Sequence, residues 1–138
     1  MKNLLLIFLS VGILYGEFIK SENIVVDKIQ NLMWQDNIEV TYNEDITMGN
    51  VYCDELILNG YIDWRLPSIK ELQMLIDQNK KSNHLNNSFE FFEDGAYWSN
   101  TINISNKEYY WYVNFQTGKV SNKDKNSLNH IRCVRDIK

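Results

Sequence analysis

The sequence predicts an α+β domain: a small twisted antiparallel sheet, two helices and a long loop region. Three observations lead there. Short apolar runs with strand character stand near both ends, Ile24–Gln35 and Tyr97–Arg135, while two helical stripes occupy the middle of the chain. The only proline, Pro67, stands where an extended segment must end and a helix begin. At 138 residues the chain fits one domain with one real core. It carries no internal repeat, low-complexity tract or linker.

The first residues have the layout of a secretory signal. Lys2 precedes an apolar run, Leu4 to Tyr15, and Gly16 is a small residue at a plausible cleavage position before the polar Glu17. Residues 1–16 are therefore read as a signal peptide and 17–138 as the domain. The alternative, a retained anchor, is disfavoured because the run is shorter than the roughly 18 to 20 residues of a spanning helix. Export to the periplasm or beyond follows, with no stable membrane span after cleavage.

Along the domain, Ile24–Asp27 and Leu32–Gln35 flank an asparagine-containing polar break and read as a hairpin. A polar loop over residues 36–45 follows. Gly49, Tyr52, Cys53 and Leu56 fall on one face of a helix over Thr47–Asn59, with Gly60 placed to end it. Ser68 and Glu71 form a capping-box pair, opening a second helix whose stripe is Ile69, Leu72, Leu75 and Ile76. Residues 79–96 suit a long ordered loop. Strands then follow at Tyr97–Thr101, at Tyr109–Phe115, from Val120, and at Ile131–Arg135, the last with Ile131, Cys133 and Arg135 on one face.

Two cysteines, Cys53 and Cys133, in an exported chain allow one intrachain pairing. A disulfide closing a loop of about 80 residues is worth roughly 4 to 5 kcal/mol in the chain-entropy model. A redox or metal-binding pair needs closer spacing or added histidines, and neither is nearby. The net charge of -4 and the absence of a basic stretch interleaved with aromatics exclude nucleic acid as a partner. The same acidity disfavours polyanionic sugars, unless cations cluster on one face.

Alternation puts Tyr109, Trp111, Val113 and Phe115 toward the core and Tyr110, Tyr112 and Asn114 on the other face. Aromatic rings beside an amide suit sugar faces and polypeptides, which makes these three the candidate ligand-binding residues. Trp64 and Arg65 are read as core and structural ion pair, with Pro67, Ser68 and Glu71 completing a junction; the competing reading stacks a sugar or clamps a carboxylate there. One of Arg132 and Arg135 is assigned a structural role. Glu90, Glu93 and Asp94 supply oxygens, but the loop triplets of a calcium lectin site do not occur, so no metal is assigned. No serine, histidine and acid arrangement has catalytic spacing, and no cofactor or catalytic residue is assigned.

Five fragments stand together in order: Leu32-Met33-Trp34-Gln35; the helix holding Cys53; Gly60 to Ser68 with Glu71-Leu72; Tyr97-Trp98-Ser99; and Ile131-Arg132-Cys133-Val134-Arg135. With these fragments the chain resembles the Lcl-type C-terminal domain family, named after the tail of a bacterial collagen-like adhesin, over nearly all of the mature chain. The resemblance implies an extracytoplasmic, C-type-lectin-like domain, which in that adhesin binds host polysaccharide as a trimer. This chain carries no collagen-like repeat. Cys53 and Cys133 match the family's disulfide positions.

A fainter similarity, an Arg-Leu-Pro segment before a helix and a terminal Arg-Cys strand, extends to formylglycine-generating enzymes, which hold copper with a pair of cysteines. The expectation is a secreted or periplasmic non-enzymatic domain contacting a saccharide or an envelope protein. An oxidase of the formylglycine-generating kind, which needs a free thiol, and a structural subunit of an envelope assembly are the alternatives.

Overall fold

A computed structural model describes residues 18–138; the expected signal segment, 1–16, lies outside the described residues. The chain runs β1 (Phe18–Ser21), β2 (Ile24–Asp27), β3 (Leu32–Gln35), a 3-10 turn (Ile38–Thr41), β4 (Asn43–Glu44), α1 (Ile46–Glu55), α2 (Ile69–Gln73), β5 (Ala96–Ile102), β6 (Tyr109–Asn114), β7 (Lys119–Asp124), β8 (Asn129–His130) and β9 (Val134–Asp136). The class is α+β. There are two sheets rather than the single one expected, ordered β1-β2-β3-β9 and β4-β8-β5-β6-β7. All pairings are antiparallel except the bridge of Tyr97 in β5 with His130 in β8, which is parallel.

Asparagine makes the first meander. Asn23 and Asn31 take left-handed backbone, φ 66° and 54°, which Asn adopts at less cost than most residues. In the β2–β3 turn the Asp27 carboxylate accepts the N–H groups of Ile29 and Gln30, both at 3.0 Å. The expected hairpin is thus present, in the register Val25↔Trp34, with β1 as an added edge strand.

β3 along its whole length and β5 at Tyr97, Trp98 and Ser99 are buried on both faces, and two cores form around them. One gathers Val25, Trp34 and Val134 from the first sheet, Tyr97, Val113 and Phe115 from the second, Leu72 and Leu75 from and just after α2, and Leu85 and Phe89 from the long loop. The other joins Met33, Ile46, Cys53, Trp64, Leu66, Trp98, Ile131 and Cys133. Here α1 approaches closely: a Cβ on Gly49 would lie 2.5 Å from the Ile131 Cδ1. At that position packing, not helix propensity, selects glycine. The Cys53–Cys133 disulfide, with both residues fully buried, fixes the helix to the chain's last crossing, 80 residues away.

Several expectations are corrected. The loop over 36–45 contains the 3-10 turn and β4, because Glu44 and Asn43 find β8 as a partner. The first helix ends at Glu55 rather than Asn59; Asn59 and Gly60, at φ 52° and 78°, instead make a tight turn in which Leu58 and Tyr61 exchange both backbone hydrogen bonds, at 3.1 and 2.9 Å. Asn-Gly is the preferred pair for such a turn, and that signal outranks a glycine helix stop. The second helix ends at Gln73, since Ile76 leaves the stripe to bridge Leu85. The terminal strand is β9 alone. Ile131, Arg132, Cys133 and Val134 are all buried, because this segment crosses from one sheet to the other between the two cores and so has no solvent face to alternate with.

A buried charge pair holds these parts together. Arg132 is fully buried; its Nη1 donates to the Gln35 carbonyl at 2.7 Å and to Asp36 Oδ1 at 3.2 Å, and its Nη2 donates to the Phe91 carbonyl. The guanidinium carbon lies 4.8 Å from the centre of the Phe89 ring and 5.6 Å from that of Tyr97. Asp36, equally buried, accepts the loop N–H groups of Glu90 and Phe91 at 2.9 and 3.0 Å and lies 2.6 Å from Lys20 Nζ. Burial alone pushes the Asp36 carboxyl up, but Lys20, the two amides and Arg132 outweigh it and hold it below its ordinary value of 3.8.

Replacing Asp36 by Asn leaves Arg132 buried and unpaired, so urea unfolding is expected to show a loss of about 3–5 kcal/mol. The sign of the pH effect follows from the lowered carboxyl. Its contribution is complete above the unfolded-state value near 3.8 and disappears as the pH falls through the lower folded value. Wild-type stability should therefore fall on acidification below about pH 4, and that fall should be shallower in Asp36→Asn. Reduction of the disulfide is expected to lower the unfolding free energy by about 4 kcal/mol, read by comparing urea curves with and without reductant.

Candidate functional site

The strand β6 carries the sequence-derived candidates, and its partner β7 completes their surroundings. Direct cross-strand pairs put Lys123 beside Tyr110, Ser121 beside Tyr112 and Lys119 beside Asn114, all on one face of the sheet. Val113 and Phe115 enter the first core as expected, but Tyr109 and Trp111 are only half-buried and join neither core, and the face of Tyr110 and Tyr112 is not simply the side away from the core. Tyr110 and Tyr112 are half-buried along the second core, and Trp98 meets Tyr112 edge to face with ring centres 6.2 Å apart. Asn114 bends the chain: its side-chain oxygen accepts the Gln116 N–H at 2.9 Å, with Gly118 at φ 72° closing the turn.

Lys123 lies over this cluster. Its Nζ is 5.5 Å from the Tyr112 ring centre and 5.7 Å from that of Trp98, and it donates to the Leu128 carbonyl at 3.0 Å. Burial lowers its ammonium below the usual range. Two of its three N–H donors remain to meet an incoming group. The strip therefore presents an anchored ammonium, an exposed second one on Lys119, two phenols and Ser121. These lysines were missed in the sequence, although Lys119, Ser121, Lys123 and Lys125 recur with period two. Lys125 is spent on Glu108, at 2.9 Å.

The other singled-out residues make structure. In the junction, the Ser68 side chain accepts the Glu71 N–H and the Glu71 carboxylate accepts the Ser68 N–H, a complete capping box. Trp64 is buried and donates to the Tyr61 carbonyl at 2.9 Å. Arg65 pairs through its backbone with Val134 in β9, while Asn100 in β5 donates its backbone N–H to the Pro67 carbonyl at 2.8 Å. The junction therefore touches both sheets.

The Arg65 guanidinium is saturated. Glu71 takes two of its N–H groups at 2.8 and 2.9 Å, Asp136 takes two at 3.1 and 3.3 Å, and the Leu66 carbonyl takes one at 3.3 Å. With five donors and five acceptors it has no fork left for a ligand carboxylate. Burial pushes the Glu71 carboxyl up, but Arg65 and the Ser68 amide outweigh it and hold the carboxyl below its ordinary value. Of the two terminal arginines, Arg132 is the buried one; Arg135 stacks 4.8 Å over Tyr61.

The long loop is pinned rather than free. His84 N–H donates to the Phe115 carbonyl, Leu85 and Phe89 enter the core, and Asp36 takes the Glu90 and Phe91 amides. Of its side-chain oxygens, Asn86 accepts from the Ser88 amide, Asn87 from Lys80, and the Glu90 carboxylate lies 3.6 Å from Lys20. Among the described residues no three of His, Cys, Asp and Glu converge on one point. Both cysteines of the chain are in the disulfide, so neither sulfur is a thiolate in this state.

If the Arg65 fork is structural, Arg65→Ala should lower thermal stability by about 1–2 kcal/mol, a figure discounted for its partial exposure. Arg65→Lys should recover only part of this, since one ammonium cannot span two carboxylates.

Comparison with curated proteins finds no significant match. The model of one family, the Lcl C-terminal domain, matches residues 23–135, a span that runs from the first hairpin through α1, the junction and the β5–β7 face to β9. The chain belongs to the Lcl C-terminal domain family.

Proposed function

We propose that this chain is an exported, non-enzymatic binding domain of C-type-lectin-like fold that contacts a saccharide, or failing that an envelope protein, through the β6–β7 face. The observation that carries the reading is the placement of Lys119 and Lys123 among Tyr110, Tyr112 and Asn114 on one face of a chain whose net charge is -4. Rings meet the apolar face of a pyranose, and each ammonium meets a carboxylate or sulfate of the saccharide. An acid-bearing saccharide suits this face better than a neutral one.

The fold reading draws on three features: two sheets with two helices, the terminal strand placed in the sheet of the first three, and a disulfide from helix to last crossing. Export draws on that disulfide and on the sequence of residues 1–16.

Calorimetric titration with a uronic-acid-containing oligosaccharide and its neutral counterpart tests the function. The acidic oligomer should bind more tightly, and weaken as salt rises. The Lys119→Gln, Lys123→Gln double variant should lose about tenfold or more of that affinity, the scale of two charge-assisted contacts. Equal binding of both oligomers, or an unchanged double variant, counts against the saccharide reading. Capture of an acidic envelope protein that is lost in the same double variant would move the assignment to a protein partner.

A further inference from the structure

A second concave surface shares no residue with the β6–β7 face. It is a groove of about 320 Å³ lined by Asn50, Val51 and Asp54 from the outer flank of α1 and by Trp64 and Arg65 from the junction. Asn50 and Asp54 lie one helical turn apart, about 100° around the helix from the buried Gly49 and Cys53, and both are exposed. Neither side chain has a hydrogen bond or ion pair among the described residues. The volume is at the lower limit of small-ligand sites, enough for one large side chain.

The chemistry of the wall is one-sided. Arg65 looks like an anion receptor but has no free N–H, as its five donors are used by Glu71, Asp136 and Leu66. Its charge is matched twice, by two carboxylates, and Asp54 adds a third across the groove. Of the cations near Asp136, Lys138 is directed to Asp63 at 3.7 Å and Arg135 to the Ile62 carbonyl at 2.8 Å. What the groove offers is an unpaired carboxylate, an amide and a small apolar wall. An anionic occupant finds no donor there beyond the Asn50 amide.

We propose that this groove receives a basic side chain, lysine or arginine, of a partner polypeptide, with its head on Asp54 and Asn50 and its stem along Val51. Charge complementarity selects the cation. The surroundings select a polypeptide over a free amine: Val51, in the groove wall, is 42% exposed, and Ile62, two residues before Trp64, is 54% exposed. These apolar groups meet the residues on either side of the basic one, and the long stem of Lys or Arg suits the walls. The domain would then carry a cationic face for an acidic ligand and an acidic groove for a basic protein.

Titration of the full chain, disulfide intact and labelled with nitrogen-15, with the blocked tripeptide Gly-Lys-Gly tests this by chemical-shift mapping. The Asn50 side-chain amide and the Trp64 indole N–H should move. The Asp54→Asn variant, whose exposed side chain makes no bond within the described fold, should bind about fivefold more weakly with an otherwise unchanged spectrum, the scale of one partly exposed charged contact. The proposal is overturned if the norleucine or glutamate tripeptide produces the same shifts, if Asp54→Asn binds as wild type, or if the lysine peptide moves neither reporter at millimolar concentration. Glucosamine binding as tightly as the peptide would also overturn it, in favour of an amino sugar.

Discussion

The buried pair of Arg132 and Asp36 is the constraint on which the rest of the structure depends. A guanidinium and a carboxylate without solvent cost several kcal/mol each to desolvate, and the arrangement is stable because both Nη atoms of Arg132 and both oxygens of Asp36 are paired. Completing it needs one partner from almost every part of the chain: Lys20 from β1, the Gln35 carbonyl from β3, two amides and a carbonyl from the long loop, and the rings of Phe89 and Tyr97. Next to Arg132 stands Cys133, whose amide donates to the Gln35 side chain at 3.0 Å while its sulfur holds α1. Gln35 in turn donates to Tyr52 on that helix, at 2.8 Å. Charge pair, disulfide and amide thus meet at the place where the chain passes between its two sheets.

This arrangement explains why a loop without regular structure is ordered. The segment between α2 and β5 has only the isolated Ile76–Leu85 bridge, so its backbone groups are satisfied singly, by one another, by side chains and by Phe115 at the end of β6. A loop so engaged is a structural part, and the binding surface proposed above lies on the neighbouring β6–β7 face. The junction from Asp63 to Glu71 shows the same logic: an arginine with every donor used positions a helix and two sheets, and has none left for a ligand.

Much of the fold could be read in the sequence because it was written locally. The Ser68–Glu71 cap, the hairpin around Asn31, the α1 stripe and the alternation of β6 each depend on residues a few positions apart. What was not legible depends on distant partners. The division into two sheets follows from β8 and β9 finding different neighbours, and no alternation signals it because residues 131–134 are buried throughout. Asn59-Gly60 read as a helix stop, since a glycine after an apolar stripe and a tight Asn-Gly turn share the same letters. In the candidate site the tyrosines were legible from period two, whereas Lys119 and Lys123 became partners only through the β6–β7 register. Net charge concealed them, because a sum carries no positions.

The most direct test of this account is amide hydrogen exchange at Glu90 and Phe91, the two loop residues whose N–H groups Asp36 accepts. If the buried pair organises the fold, these amides should exchange only through global unfolding, as slowly as the central strands, and in Asp36→Asn they should lose protection well before β5 and β6 do. Exchange at the rate of an open loop in the wild-type protein, or protection unaltered by the substitution, would contradict it.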